Sequence, residues 1–287
     1  MRMLSGIFLL IPLILSACAT SLENPYSSQA TDLSLHATKI EPILKVNQDL
    51  WANRDQLESL RAFIESQRVI LKSPNRKEKD FVLMARAYFI MGEYFSDSTA
   101  LKIDFFGEAA NWSEMAIYQN PDYSRTLKSP RPESALSTLR KRNMEGLYWH
   151  ALALYRWADL KGVGTALKYR SRIQNMMEKV SQLAPNYFFG GPHRFFGSYF
   201  GQMPGFNEED LALSRKHFEK ALRAGPDFFG NHVSFAEIYG KKVDNRSLVK
   251  KHLEIAARGD ARQIPEFKPE QLLEQRRAKK LLKGEIP

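Results

Sequence analysis

Six histidines, a single cysteine and scattered acid pairs are the side chains with which this sequence could do chemistry. His36, His150, His193, His217, His232 and His252 form no HExxH and no comparable metal-ligand spacing. No GxSxG elbow is present, and one cysteine, Cys18, allows neither a disulfide nor a CxxC redox pair. Acid pairs such as Glu208-Glu209 stand where helices are expected to begin, and charge at a helix start explains them without catalysis. The acid and base of a glycosidase can lie far apart in sequence, but nothing here singles out such a pair. The expectation is a non-catalytic protein that uses no cofactor and no metal.

Binding is the stronger theme. The stretch YFFGGPHRFFGSYF, residues 187–200, concentrates aromatic rings, glycines, a histidine and an arginine. Gly190-Gly191-Pro192 interrupts the chain, and proline fits the first turn of the helix that follows. Phe196 and Phe200 then share overlapping faces with Gly197 and Gly201, the pattern of a close helix contact. A phosphate loop is excluded, because the strand and the downstream Lys-Ser or Lys-Thr pair are missing. His193 and Arg194 fall in the first helical turn, where a cation meets the positive end of the macrodipole and needs an anion. A neighbouring carboxylate would supply it in one reading, a ligand or partner in the other. Tyr148 and Trp149, on the preceding hairpin, either belong to the core or face the same groove. In the second case they form, with Tyr187, His193 and Arg194, an aromatic wall beside an arginine, suited to an apolar molecule carrying a carboxylate.

The elements that must position these residues are helices. No stretch alternates apolar and polar residues at period two, so the fold class is all-α. Ser214, Phe218 and Ala221 precede Pro226, and Ala109 and Ala116 precede Pro121 with the same spacing between small residues and proline. Small residues let two helices approach, an aromatic fills the gap one turn along, and proline stops the helix. Partner helices carry Leu152-Ala153, Phe196-Gly197 and Phe235-Ala236, each a large residue beside a small one. This looks like the tetratricopeptide pattern in degenerate form, and implies an α-α superhelix of stacked hairpins with a concave surface. Two insertions, residues 202–210 and 122–135, are expected on its functional face. Residues 269–283 place Leu272, Leu273, Ala278, Leu281 and Leu282 on one side and Arg276, Arg277, Lys279 and Lys280 on the other. They read as a C-terminal capping helix with a solvated basic face.

At the amino end, Arg2, a short apolar run over residues 7–15 and Leu15-Ser16-Ala17-Cys18 form a secretion signal too short to span a membrane. The Leu-Ser-Ala-Cys order resembles the lipobox of bacterial lipoproteins. That resemblance implies a signal peptide over residues 1–17, acylation of Cys18, a spacer over residues 18–31 and a repeat domain over residues 32–287. Several acyl chains on one residue give durable anchoring. Ala19 in place of aspartate points, by the sorting rule for such proteins, to the outer membrane of a diderm, facing the periplasm. The net charge of +10 would suit nucleic acid inside the cell; outside it, no nucleic acid is expected, and anionic headgroups, wall polymer or an acidic protein are the natural counterparts.

Five segments occur in order: LWANRD (residues 50–55), LMARAYFIMGEY (83–94), LYWHALAL (147–154), GGPHRFFGSYFGQMPGF (190–206) and HFEKALRAGPDF (217–228). Together they resemble the T component of tripartite ATP-independent periplasmic (TRAP) transporter systems. The resemblance implies a periplasmic lipoprotein that binds the solute-binding subunit of the transporter, forms homo-oligomers and takes an apolar or acidic small molecule. The alternative is a general scaffold lipoprotein for outer-membrane or cell-wall assembly, which the basic charge favours.

Overall fold

The apolar spacing resolves into thirteen helices, with no strand among the described residues. The computed structural model describes residues 41–202 and 207–284, all within one unit spanning Leu33–Pro287. Cys18, the signal and the spacer lie outside the described residues. Successive helices pack as hairpins: α1 (Glu41–Ala52) on α2 (Leu57–Leu71), α3 (Glu78–Tyr94) on α4 (Thr99–Tyr118), α7 (Met144–Leu160) on α8 (Val163–Leu183) and α9 (Tyr187–Gln202) on α10 (Glu208–Ala224). Between α4 and α7 run the short α5 (Pro121–Leu127) and α6 (Ala135–Thr138). After α10 come α11 (Phe229–Ser234), extended by one wider π turn over Phe235–Gly240, then α12 (Arg246–Arg258) and α13 (Lys268–Lys283). The architecture is the expected all-α superhelix.

Local signals set the helix starts. The Ser98 hydroxyl accepts from the Leu101 amide, Asn120 from Asp122 and Tyr123, and Asn245 from Leu248. Asn207 and Asp210 cap α10 reciprocally, each side chain taking the other's backbone N–H. These caps satisfy amides that a helix start leaves without a partner.

The small-residue repeat lies in the core. Ser214, Phe218 and Ala221 are fully buried, as are Ala109 and Ala116 on α4. Where α9 crosses α10, the Ser214 hydroxyl donates to the Gly197 carbonyl at 2.7 Å, and a Cβ added to Gly197 would stand 2.8 Å from the Phe218 ring. Gly197→Leu should therefore overpack the crossing by about 1–3 kcal/mol or more. Scanning calorimetry should show a transition lower by about 2–4 °C for each kcal/mol lost; an unshifted transition would mean the helices are not in this contact.

One expectation is corrected, that of α13. The insertion at residues 122–135 does not line the cavity described below; the α5 and α6 that it reaches pack on each other, with Tyr123 and Ala135 buried. Nor does α13 turn its whole charged side to solvent. Glu270, Gln271 and Glu274 are buried, and Arg277 points inward. The polar side of α13 reaches the first hairpins instead: Arg54, which is 2 % exposed, holds both oxygens of Glu270, and Arg276 meets Asp55 at 3.1 Å.

Candidate functional site

Three successive residues at the head of α9 adopt left-handed backbone: Phe188 (φ 49°), Phe189 (φ 57°) and Gly190 (φ 75°). The Gly190 amide closes the turn on the Asn186 carbonyl at 3.2 Å. Left-handed turns cost about 1–2 kcal/mol for each residue that carries a Cβ, and phenylalanine has no side-chain means of compensating. Position 190 requires glycine twice over, since a Cβ there would also lie 2.9 Å from the Ala221 Cα. Packing and hydrogen bonds impose the turn. Phe189 stacks on Phe228 with centroids 4.8 Å apart, and Asn231 donates to the Phe189 carbonyl at 2.9 Å. Phe188 is edge-on to Trp149, Phe228 and Phe267 at 5.3 Å from each. Right-handed helix resumes beyond Gly190, with Pro192 in its first turn.

The turn forms part of the wall of a cavity of about 310 Å³, within the usual range for small-molecule sites. Its apolar side is built by Phe89 of α3, Tyr148 and Trp149 of α7, Phe188 and Phe195 of α9, and Phe228. The polar side comes from Glu270, Glu274 and Arg277 of α13, with Glu93 and Tyr94 of α3, Arg156 of α7 and Arg194 of α9. The π turn after α11 adds Glu237 and Ile238.

Most of this charge is matched internally. Arg277 bridges Glu93 at 2.6 Å and Glu237 at 2.7 Å, and Arg156 meets Glu93 at 2.9 Å. Glu270 is shared by Arg54 and Arg86. Burial would raise the Glu93 pKa, but the two guanidinium groups outweigh it and hold the carboxyl down at about 2. Glu274 behaves oppositely: burial dominates and its carboxyl is shifted up, despite Arg277 and the hydrogen bond from Tyr94. The Tyr94 hydroxyl donates to Glu274 Oε1 at 2.7 Å, while the buried Oε2 has no hydrogen-bond partner.

Arg194 differs from the other cavity arginines. Its guanidinium donates to Asn231 Oδ1 at 2.7 Å, to the Tyr148 hydroxyl at 3.3 Å and to the Phe188 carbonyl at 3.4 Å, and stacks over Phe228 and Phe188. Among the described residues, no carboxylate lies within ion-pair distance of it, whereas Arg156 has one and Arg277 has two. It presents a positive charge, held by neutral groups, to an aromatic chamber.

The family model described as TRAP transporter T-component matches residues 105–286, from within α4 to beyond α13. The chain belongs to that family. Its role is that of an accessory component of TRAP transport. No curated protein matches the chain.

In this T-component the five candidate binding residues separate. Tyr148, Trp149 and Arg194 line the cavity together. Tyr187 does not line it; its ring is edge-on to Tyr148 at 5.0 Å, and burial pushes its hydroxyl pKa up. His193 also lies off the cavity, with its Nδ1 3.3 Å from that of His217. Burial lowers its pKa, helped by Lys220 and Arg223, so a neutral ring at the helix start needs no anion. Sequence reasoning missed Glu274, Arg277, Glu93 and Arg156, whose contacts join helices far apart along the chain. Among the described residues, no group of three or more His, Cys, Asp or Glu could hold a metal ion.

The His193–His217 pair recurs one hairpin later. His232 and His252 place Nδ1 atoms 2.9 Å apart, and His232 Nε2 lies 2.7 Å from the Pro226 carbonyl. Burial, then the partner ring and nearby lysines, lowers His217 and His252 to about 4. A histidine depressed when folded takes up protons on unfolding. Its contribution to stability is therefore complete above the unfolded value near 6.5 and is lost as pH falls from there towards 4. Thermal melts should drop across that window, and His217→Gln combined with His252→Gln should flatten the drop.

Proposed function

We propose that this T-component is a lipid-anchored protein of the outer membrane, held through Cys18 and facing the periplasm, that engages the solute-binding subunit of a TRAP-type transporter. In that role it takes a small apolar acid into its cavity. Family membership supports the transport setting, and one observation carries the ligand: Arg194 lies beside the aromatic side of the cavity, held by neutral groups, with no carboxylate within ion-pair distance among the described residues. An organic acid supplies both missing complements, an anion for the guanidinium and apolar surface for the rings. In this reading the protein holds or passes on its solute without transforming it.

The test is capture of the co-encoded solute-binding subunit by the purified mature protein, measured by pull-down and calorimetry. Binding supports the reading, and failure with every such subunit of the source organism refutes it. Cross-linking in cells that captures barrel-assembly or wall enzymes instead would establish the scaffold alternative. For the ligand, Arg194→Gln keeps an amide N–H for Asn231 and removes the charge. Affinity for carboxylate probes should fall by about tenfold or more, the scale of one charge-assisted hydrogen bond, while the helical circular dichroism stays intact. Equal affinity in the variant would show that Arg194 is only structural.

A further inference from the structure

Helix α12 has two unlike faces. Leu253, Ala256 and Ala257 pack with Ala278 of α13 in a buried cluster. Lys250, Lys251, Ile255 and Arg258 stand exposed at helical steps on the outer side. Two shallow grooves follow that side: one runs along α12 past these four residues, the other lies between α12 and the end of α13 and takes in Lys241 and Leu282. Lys250 borders both, so they form one continuous surface. Lys279 and Lys280 extend the exposed charge along α13.

The charge here is not balanced as it is on other exposed helix faces, where Arg61 meets Glu58 and Arg215 meets Glu219 within one turn. Arg246 and Arg258 do have Asp244 and Glu254. Among the described residues, however, no carboxylate lies within ion-pair distance of Lys241, Lys250, Lys251, Lys279 or Lys280. Like charges this close repel one another, and an anionic surface relieves the repulsion. Ile255 and Leu282, each 40 % exposed, lie among the ammonium groups. Lysines interspersed with apolar side chains suit a bilayer interface. A protein partner fits the composition less well, because lysine is depleted from protein–protein interfaces while arginine and aromatic residues are enriched.

We propose that the outer face of α12 and the end of α13 dock on a bilayer carrying anionic phospholipid. This rests on the reading of Cys18 as the tether and adds a second point of attachment. The acyl chains hold the protein at the membrane, and the lysines fix which end of the helix stack meets it. The chain length allows both at once: α1 begins at Glu41, and covalent geometry lets the segment from Cys18 to that point span at most ~80 Å. The acyl chains therefore keep the lysine surface at high effective concentration beside the headgroups.

The experiment uses the mature chain carrying Cys18→Ser, which removes the acyl chains and leaves the lysines. Vesicles of phosphatidylcholine and phosphatidylglycerol in about a 7:3 ratio are compared with pure phosphatidylcholine, and bound protein is read by flotation. Partitioning to the anionic vesicles should exceed that to the neutral ones by about a hundredfold at about 0.05 M salt and fade at about 0.5 M. Lys250→Gln with Lys251→Gln should lower it by about thirtyfold, the weight of two lysines near a charged bilayer. Lys250→Arg with Lys251→Arg should keep it. Lys161→Gln with Lys168→Gln removes the same charge from exposed positions of the α7–α8 hairpin and should change it little. Circular dichroism checks that each variant stays helical. The inference is overturned if the protein partitions equally to both vesicles, or if the changes at Lys161 and Lys168 matter as much as those at Lys250 and Lys251. It is also overturned if the α12 glutamine variant keeps its vesicle binding but loses the solute-binding subunit, which would assign the face to an acidic protein. Mass spectrometry of Cys18 from cells tests the tether separately: an unmodified cysteine would refute the anchor, while the vesicle comparison decides the docking on its own.

Discussion

Arg277→Met should destabilise the protein by about 3–5 kcal/mol, the cost of removing one member of a buried ion network. Arg277 is the shared cation of Glu93 and Glu237, and it ties α13 to α3 and to the π turn. Methionine replaces its stem but leaves the acids with too little positive charge; Arg156 remains on Glu93 alone. The melting temperature is expected to fall by roughly 10 °C for a chain of this size. The pH dependence should also change sign. In the wild type the Glu93 carboxyl is held at about 2, so its contribution is present above the unfolded value near 4.5 and is lost as pH falls below it. Without Arg277 the acids are buried with insufficient compensation, their pKa values rise, and stability is lost as pH climbs above that value instead. Mild acid should thus partly rescue the variant, and adding Glu93→Gln should rescue it at neutral pH. A variant that melts like the wild type at neutral pH would show that the network contributes nothing net.

The sequence carried the hairpins because their cause is local. Ser214, Phe218 and Ala221 share one helix face at fixed steps, and that face is the core. Arg194 was also legible, since a cation in a first helical turn demands an explanation wherever the fold places it. The inward side of α13 was not. Its periodicity separates Leu273 and Ala278 from Arg276, Lys279 and Lys280, but cannot say that Glu270, Glu274 and Arg277 face Arg54, Tyr94 and Glu93 from the far end of the chain. The turn at Phe188-Phe189 was hidden for a different reason. Gly190-Gly191-Pro192 announces a break, yet two phenylalanines at positive φ go against their intrinsic preference, and only contacts with Phe228, Phe267 and Asn231 hold them there.

Those contacts make the cavity a product of several hairpins. Arg194 is aimed by a residue on α11, its aromatic surroundings come from α7 and α9, and the acids opposite it come from α3 and α13. No hairpin forms the site alone, so substitutions that loosen the stacking should affect binding as well as melting.

Asn231 joins the strained turn to the binding arginine, and Asn231→Ala should cost about 3–5 kcal/mol, again a melting shift of roughly 10 °C. Its side chain is fully buried, with Oδ1 accepting from Arg194 at 2.7 Å and Nδ2 reaching the carbonyls of Phe189, Ala221 and Gly225 at 2.8 to 2.9 Å. Alanine removes the side-chain donor from all three carbonyls, leaving those of Ala221 and Gly225 only their backbone bonds from Gly225 and Phe228, takes from Arg194 its shortest hydrogen bond, and leaves ring packing alone to hold Phe189 in the left-handed turn. Asn231→Asp separates the two jobs. A carboxylate would pair well with Arg194 but turns a second acceptor towards three carbonyls, so it should be about as damaging as alanine if the turn is what Asn231 secures. Chymotrypsin, which cuts after phenylalanine, gives the local readout: cleavage at Phe188 and Phe189 should accelerate in both variants under conditions where the remaining helices stay protected. Wild-type cleavage and melting in the aspartate variant would show that Asn231 serves Arg194 alone and that ring packing holds the turn without it.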